Sequence, residues 1–306
     1  MKILVMGTGG VGGYFGAKLA RAGEAVTFAA RGAQLEAIRA HGLAVKSSVE
    51  GEFAVRAPVT DDPAAAGPAD LILFCVKSFD TEVAARALGA SVGRETAILS
   101  LQNGVDNEEK IGAIVGPGHV LGGVAYIFSI VQSPGVIAHS VGGRIVFGEL
   151  DGGETPRARR IRDTLAGAGI PVELSPQIQR ALWEKYLFIV AQSGMTALTR
   201  CPIGVIRSVP ETRKMYRTIL EELAALAKAS GVGLRPGAVD AIMTATDNLP
   251  AAMSSSLHYD LTHGRRLELE TLQGYAVCLG ERFGVPTPMC AAVYALLKPH
   301  LNGPPA

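Results

Sequence analysis

The 306-residue chain has little of what marks several large classes of protein. Its four cysteines, Cys75, Cys201, Cys278 and Cys290, are scattered with no C-x-x-C pair, which argues against a disulfide framework and a zinc site. One tryptophan and 6% aromatic residues leave few surfaces on which bases could stack. With 29 Lys+Arg against 28 Asp+Glu the net charge is +1, which removes the basic footprint of a nucleic-acid binder. No apolar run reaches the ~18 residues of a membrane span. The N terminus also lacks the charged, apolar and small-residue regions of a secretory leader. A reduced, soluble, cytoplasmic protein is therefore expected. Disorder is excluded by 48% hydrophobic and 19% charged residues, and the length suits about two domains.

What the chain does have is 37 glycines and two contrasting halves. In the first half, short apolar runs (3–6, 25–29, 71–76 and 97–101) alternate with helical patterns such as 11–22. Continuous apolar runs read as strands buried on both faces, and strands alternating with helices imply a parallel sheet with helices on both sides. From 118 to 149, Val/Ile runs broken by Ser133-Pro134-Gly135 and Gly142-Gly143 read as hairpin strands closing the sheet. A helix at 155–167 and a strand at 170–174 follow, with a boundary at Ser175-Pro176. Beyond it strand patterns almost vanish. Helical spacing covers 178–198, 209–230, 236–247, 260–283 and 288–297, and 301–306 reads as a loose tail. The fold class is thus α/β: an N-terminal Rossmann-type doubly wound sheet over 1–175 and a C-terminal all-helical domain over 176–306.

Gly7-Thr8-Gly9-Gly10-Val11-Gly12 fits G-x-G-x-x-G, and it follows a strand and opens a helix, the context that the pattern requires. Gly7 permits the tight turn, Gly9 lets backbone approach a pyrophosphate, and Gly12 lets helix and strand pack closely. The helix N-terminus offers free N–H groups to the phosphates. At the end of the second strand, where NAD-specific sites carry Asp or Glu, stands Ala29-Ala30-Arg31. A guanidinium can bind a 2′-phosphate that a carboxylate would repel, so NADPH is the favoured cofactor. The alternative is that Arg31 only opens an exposed loop.

Lys185 lies in a mostly apolar helical run, Ala181 to Val190. A buried ammonium must be paired or give up its proton, which suits a general acid for a ketone reduced by hydride. The competing reading is a snorkelling lysine whose stem packs while its head reaches water. If the stretch 256–283 continues as one helix, Glu268, Thr271 and Tyr275 share a face. His139, His258 and His263 show no metal-ligand spacing.

These residues resemble the ketopantoate reductase family (2-dehydropantoate 2-reductase) over nearly the whole chain. The likeness rests on the N-terminal glycine motif, Val76-Lys77, Leu101-Gln102-Asn103-Gly104, Trp183-Glu184-Lys185, Cys201-Pro202-Ile203-Gly204 and the stretch from Ser254 through Glu268. The resemblance implies NADPH-dependent reduction of a 2-oxo acid in pantothenate synthesis. It implies Lys185 as the catalytic lysine and Glu268 as a contact to the cofactor ribose or the substrate hydroxyl. It further implies Asn103 at nicotinamide and substrate, Lys77 near the cofactor and Ser256 at the substrate carboxylate. Residues 7–12 and Arg31 are the remaining cofactor contacts, and Ile189 and Ser193 the remaining substrate positions. Where the family carries pocket asparagines, this chain has Ile189, Ser193, Ile203 and Met253. A site that loses hydrogen-bonding partners loses discrimination for a polar substrate, so a bulkier or less polar 2-oxo acid is a second expectation. A dinucleotide-binding sensor without catalysis is the third. A monomer and a homodimer are both compatible with the helical faces, and no nucleic acid, membrane or metal is expected.

Overall fold

The computed structural model describes residues 1–305, and its elements divide into two units. The first comprises Met1–Gln102 and Asp106–Ile178. The second begins at Gln179 and also includes Asn103–Val105. Among the described residues no helix is long and apolar enough to cross a membrane.

In the first unit the chain runs β1 (Lys2–Met6), α1 (Gly10–Arg21), β2 (Ala25–Ala29), α2 (Gly32–His41), β3 (Leu43–Ser47), β4 (Gly51–Val55), β5 (Val59–Thr60) and β6 (Leu71–Phe74). It continues through α3 (Thr81–Ala87), β7 (Ala97–Ser100), α4 (Asn107–Val115), β8 (Val120–Ser133), β9 (Val136–Glu149), α5 (Pro156–Gly167) and β10 (Val172–Leu174). The strands form one sheet in the order β4-β3-β9-β8-β7-β6-β1-β2-β5, with β10 beside β9. β1 pairs in parallel with both β2 and β6, so the winding reverses between β1 and β6. In open α/β sheets ligands bind at the carboxyl ends of the strands beside such a reversal. The continuous apolar runs of β6 and β7 are buried at every position, as parallel strands covered on both faces require.

The hairpin of β8 and β9 does not close the sheet, as its sequence suggests it would. β9 pairs along its first half with β3 and along its second half with β10, which carries the sheet onward. No strand is legible between Ala29 and Leu71, yet β3, β4 and β5 lie there. β3 pairs on one side with β4 in a local hairpin, Leu43 opposite Val55, and on the other with a strand 92 residues away, Ala44 opposite Val136; both strands mix polar with apolar positions and so give no clear period-2 signal.

The second unit holds α6 (Ile178–Thr199), α7 (Ile203–Ser208), α8 (Pro210–Ala229), α9 (Ala238–Asp247), α10 (Ser256–Thr262), α11 (Tyr275–Phe283) and α12 (Pro288–Leu297), around a core that includes Trp183, Tyr186, Tyr216 and Leu223. The continuous helix read over 260–283 is interrupted. Gly264, at φ +61°, closes α10: its N–H donates to the Leu261 carbonyl (3.2 Å), and Arg265 N–H donates to that of Asp260 (2.8 Å). Those two bonds form the paired C-cap for which glycine is favoured. A single wide π turn, Glu270–Gly274, then leads into α11, with Gly274 N–H donating to the Leu269 carbonyl (2.9 Å). The inserted residue shifts the helical phase, so Glu268, Thr271 and Tyr275 are not related by one regular face. The tail is not loose at its start: the Leu301 carbonyl accepts from Leu267 N–H (2.9 Å), and Leu301 packs on the helical core.

Candidate active site

Gly7 leaves β1 at φ +99°, and a Cβ there would lie 2.7 Å from the Val76 nitrogen, so the turn presses against the chain leaving β6. A Cβ on Gly12 would meet the Gly7 carbonyl at 2.2 Å, and one on Gly10 the Ser129 carbonyl at 2.2 Å. Gly9 differs, because nothing stands within 4 Å of its Cβ position. Gly9 is also the N-cap of α1, which has no side-chain cap and no acidic residue in its first turn. The helix therefore keeps its positive end uncancelled beside open space, which fits a pyrophosphate. Thr8 is buried, its backbone and hydroxyl both donating to the Ala29 carbonyl (3.1 and 2.9 Å), while Val11 is half-buried at the start of α1.

Those bonds bring the end of β2 to the same edge. Arg31, the N-cap of α2, is 72% exposed and pairs with Asp80 at 3.0 Å. Asp80 closes the short turn that begins after the exposed Lys77. The glycine turn, Arg31 and Lys77 are thus gathered at the carboxyl ends of β1, β2 and β6.

Several residues that the sequence reading passes over hold these loops. Gln102 donates from Nε2 to the Val76 carbonyl (3.0 Å) and to Thr81 Oγ1 (2.7 Å). Thr81 in turn donates to Ser78 O (2.9 Å) and Asn107 Oδ1 (3.1 Å). Gln34 bridges Thr8 O (3.0 Å) and Gly135 N–H (2.9 Å). Below the loop that follows β7, Glu108 is buried. Desolvation, with the Asp106 charge adding to it, pushes its carboxyl up to about 7. Only a network drawn in three dimensions reveals these roles, since isolated Gln and Thr residues carry no spacing signal.

In the second unit α6 carries Lys185, Ile189 and Ser193. Lys185 and Ile189 are half-buried, whereas Ser193 is fully buried and its hydroxyl accepts from Gln273 Nε2 (3.2 Å). Gln273 also donates to the Val190 carbonyl (2.9 Å), and Tyr186 donates to that of Leu272 (2.6 Å). These bonds fasten the π turn, and the buried Glu268 just before it, to the lysine helix. On another side Thr196 and Ser255 share a hydroxyl bond (2.7 Å), and Ser255 caps α10, whose first residue is the half-buried Ser256. Glu184, next to Lys185, is held by Arg235 through its guanidinium (2.6 Å). Ile203 is fully buried in the helical core, and its N–H donates to the Met253 carbonyl (2.9 Å), so two of the substituted positions meet through their backbones. Asn103, half-buried, opens the short segment that belongs to this unit.

A glycine turn on a reversing parallel sheet and a lysine-bearing helix in a separate helical unit suit a dinucleotide-dependent oxidoreductase. Residues 3–152 match the family described as "Ketopantoate reductase PanE/ApbA" and residues 177–301 its C-terminal part. The chain belongs to the ketopantoate reductase family. It is 30% identical over 299 residues to an uncharacterized oxidoreductase, YkpB, of Bacillus subtilis, covering 97% of this chain and 98% of that one. It is 31% identical to a 2-dehydropantoate 2-reductase of Archaeoglobus fulgidus, covering 97% and 96%. A solved PanE/ApbA family ketopantoate reductase from Ralstonia eutropha superposes with a TM-score of 0.91 at 34% identity, over 98% of both chains.

Proposed function

We propose that this chain reduces a 2-oxo acid to the 2-hydroxy acid with NADPH, and that the acid is 2-dehydropantoate. The observation that carries this reading is Lys185, half-buried on a helix whose neighbouring turns are lined by Trp183, Tyr186, Leu187 and Ile189. When bound, the dihydronicotinamide supplies the hydride. The chain's own part begins with residues 7–12, whose backbone N–H groups and glycine surface receive the pyrophosphate. Arg31 supplies a planar donor pair for a 2′-phosphate, and Lys77 adds positive charge at the same sheet edge. Lys185 donates a hydrogen bond to the ketone oxygen and passes its proton there as negative charge develops. Asn103 and Glu268 orient the nicotinamide and ribose side of the reactants, and Ser256 binds the substrate carboxylate.

Two observations support a second reading, a less polar 2-oxo acid: Ile189 and Met253 place half-buried apolar side chains where the family's asparagines stand. A sensor without catalysis is disfavoured because such a protein needs neither Lys185 nor Glu268.

Lys185→Ala is the decisive variant. We expect kcat on 2-dehydropantoate to fall about 10³-fold, equivalent to about 4 kcal/mol, while NADPH affinity by fluorescence titration changes little. Retained turnover would remove the lysine from the mechanism. A wild-type protein inactive on every 2-oxo acid would leave only a nucleotide binder.

A further inference from the structure

The substituted asparagines suggest that the substrate side of α6 has lost its amides, yet one amide stands a single residue away. Gln192 follows Lys185 by seven residues, about 20° short of two full turns, so its direction nearly coincides with that of the lysine. Ile189 lies about 40° away and Thr196 about 20°, whereas Ser193 is turned about 80° aside, towards Gln273. Along this face exposure falls from the half-buried Lys185 and Ile189 to Gln192, at 1%, and Thr196, at 0%. Gln192 therefore sits where the lysine face becomes fully enclosed.

The orientation of its amide is determined by its surroundings. Nε2 faces the Ser254 carbonyl at 3.5 Å, and the reverse orientation would set two oxygens against each other. Oε1 is then left buried with no hydrogen-bond partner. A buried acceptor without a donor is costly, and a water or a ligand hydroxyl can supply the missing half. The segment that Nε2 faces, Ser254-Ser255-Ser256, carries the proposed carboxylate contact. We infer that Gln192 is a specificity residue whose Oε1 accepts a hydrogen bond from a hydroxyl on the substrate, so that the preferred 2-oxo acid is a hydroxylated one. This deepens the reading of the chain as a 2-oxo acid reductase and rests on it. It favours the polar substrate over the apolar alternative, the amide at 192 standing in for those missing at 189 and 253.

The test uses the full chain with NADPH and two matched pairs of acids that differ by one hydroxyl: 2-dehydropantoate against trimethylpyruvate, and hydroxypyruvate against pyruvate. For the wild type kcat/KM should favour the hydroxylated member of at least one pair by about 100-fold or more, as expected of a site built to bond a hydroxyl. In Gln192→Met, which keeps the side-chain length, that ratio should collapse at least tenfold. In Gln192→Asn, which keeps the amide but shortens its reach, the ratio should fall in the same direction by less, and this variant serves if Met is not tolerated. A merely structural glutamine would lower both members of a pair together and leave the ratio in place, which overturns the assignment. So does a wild-type ratio near one with both acids reduced, and in that case the reductase reading stands. Turnover of no 2-oxo acid overturns both.

Discussion

The two units present their candidate sites in opposite ways. The first presents backbone: the turn after β1 carries no side chain at Gly7, Gly9, Gly10 and Gly12. The second presents side chains on one regular helix, α6, where Gln192 bonds the Ser254 carbonyl 62 residues further along and the Val190 carbonyl accepts from Gln273, 83 residues further along. A backbone site tolerates almost no added atom but asks little of its neighbours. A side-chain site can exchange one group for another, provided that some group restores what was lost.

The largest effect should come from adding a methyl to the turn at two positions with opposite surroundings. Gly12→Ala forces a Cβ to 2.2 Å from a backbone carbonyl, whereas the Cβ of Gly9→Ala enters open space at an ordinary φ of −86°. Gly12→Ala is expected to cost about 3 kcal/mol or more, seen as a fall in Tm of roughly 10 °C. Gly9→Ala should leave Tm within about 1 °C but raise the Kd for NADPH at least tenfold, because the added methyl occupies the approach to the pyrophosphate. Calorimetry with a cofactor titration separates the two. Equal Tm losses for both variants would mean that the turn is built for packing alone.

This asymmetry also explains what the sequence reveals. The glycine turn is legible because backbone contact dictates spacing, and every participant lies within six consecutive residues. β1, β2, β6 and β7 are legible as short, mostly apolar runs, and the long helices of the second unit as 3.6-residue patterns. β3 and β4 are not: Leu43–Ser47 and Gly51–Val55 mix polar with apolar positions near the sheet's edge, and their hairpin joins the sheet through β9, far along the chain. The break after Thr262 turns on Gly264, one glycine among 37. The glutamines at 34, 102, 192 and 273 matter only through distant partners, and local spacing cannot express such partners. Position 192 is the clearest case, because alignment of motifs draws the eye to 189 and 193, while helix geometry puts 192 closer to the lysine's direction.

Both units bury acids, Glu108 in the first and Glu222, Asp260 and Glu268 in the second, and pH should single out the contribution of one of them. Glu108, in the first unit, is a buried acid raised from its ordinary 4.5 to about 7. The folded protein then holds a proton that the unfolded chain releases near pH 4.5. The resulting stabilisation is full below that pH and is lost as pH rises to about 7, by up to roughly 3 kcal/mol. Glu108→Gln should flatten this slope in urea unfolding series at pH 5, 6, 7 and 8, and an unchanged slope would assign the pH dependence elsewhere.

The smallest effect tests whether the backbone site needs a side chain at all. Arg31 is the group we propose to tell a phosphorylated ribose from a plain one, and its present partner is Asp80, 3.0 Å away and itself one-third exposed. Such an exposed pair contributes about 0–1 kcal/mol, so releasing it to a phosphate costs little. A bidentate bond to a dianionic phosphate is charge-assisted and contributes about 1.5–3 kcal/mol. Arg31→Ala should therefore lower the NADPH-over-NADH ratio of kcat/KM by about 10- to 100-fold while leaving NADH turnover near its starting value. Asp80→Asn, which frees the guanidinium, should move the ratio the other way by no more than about fivefold, the ceiling set by the weak pair. If Arg31→Ala lowers both cofactors equally, the side chain only closes the loop before α2. Discrimination would then rest on the glycine turn, and the candidate cofactor site of the first unit would be backbone alone.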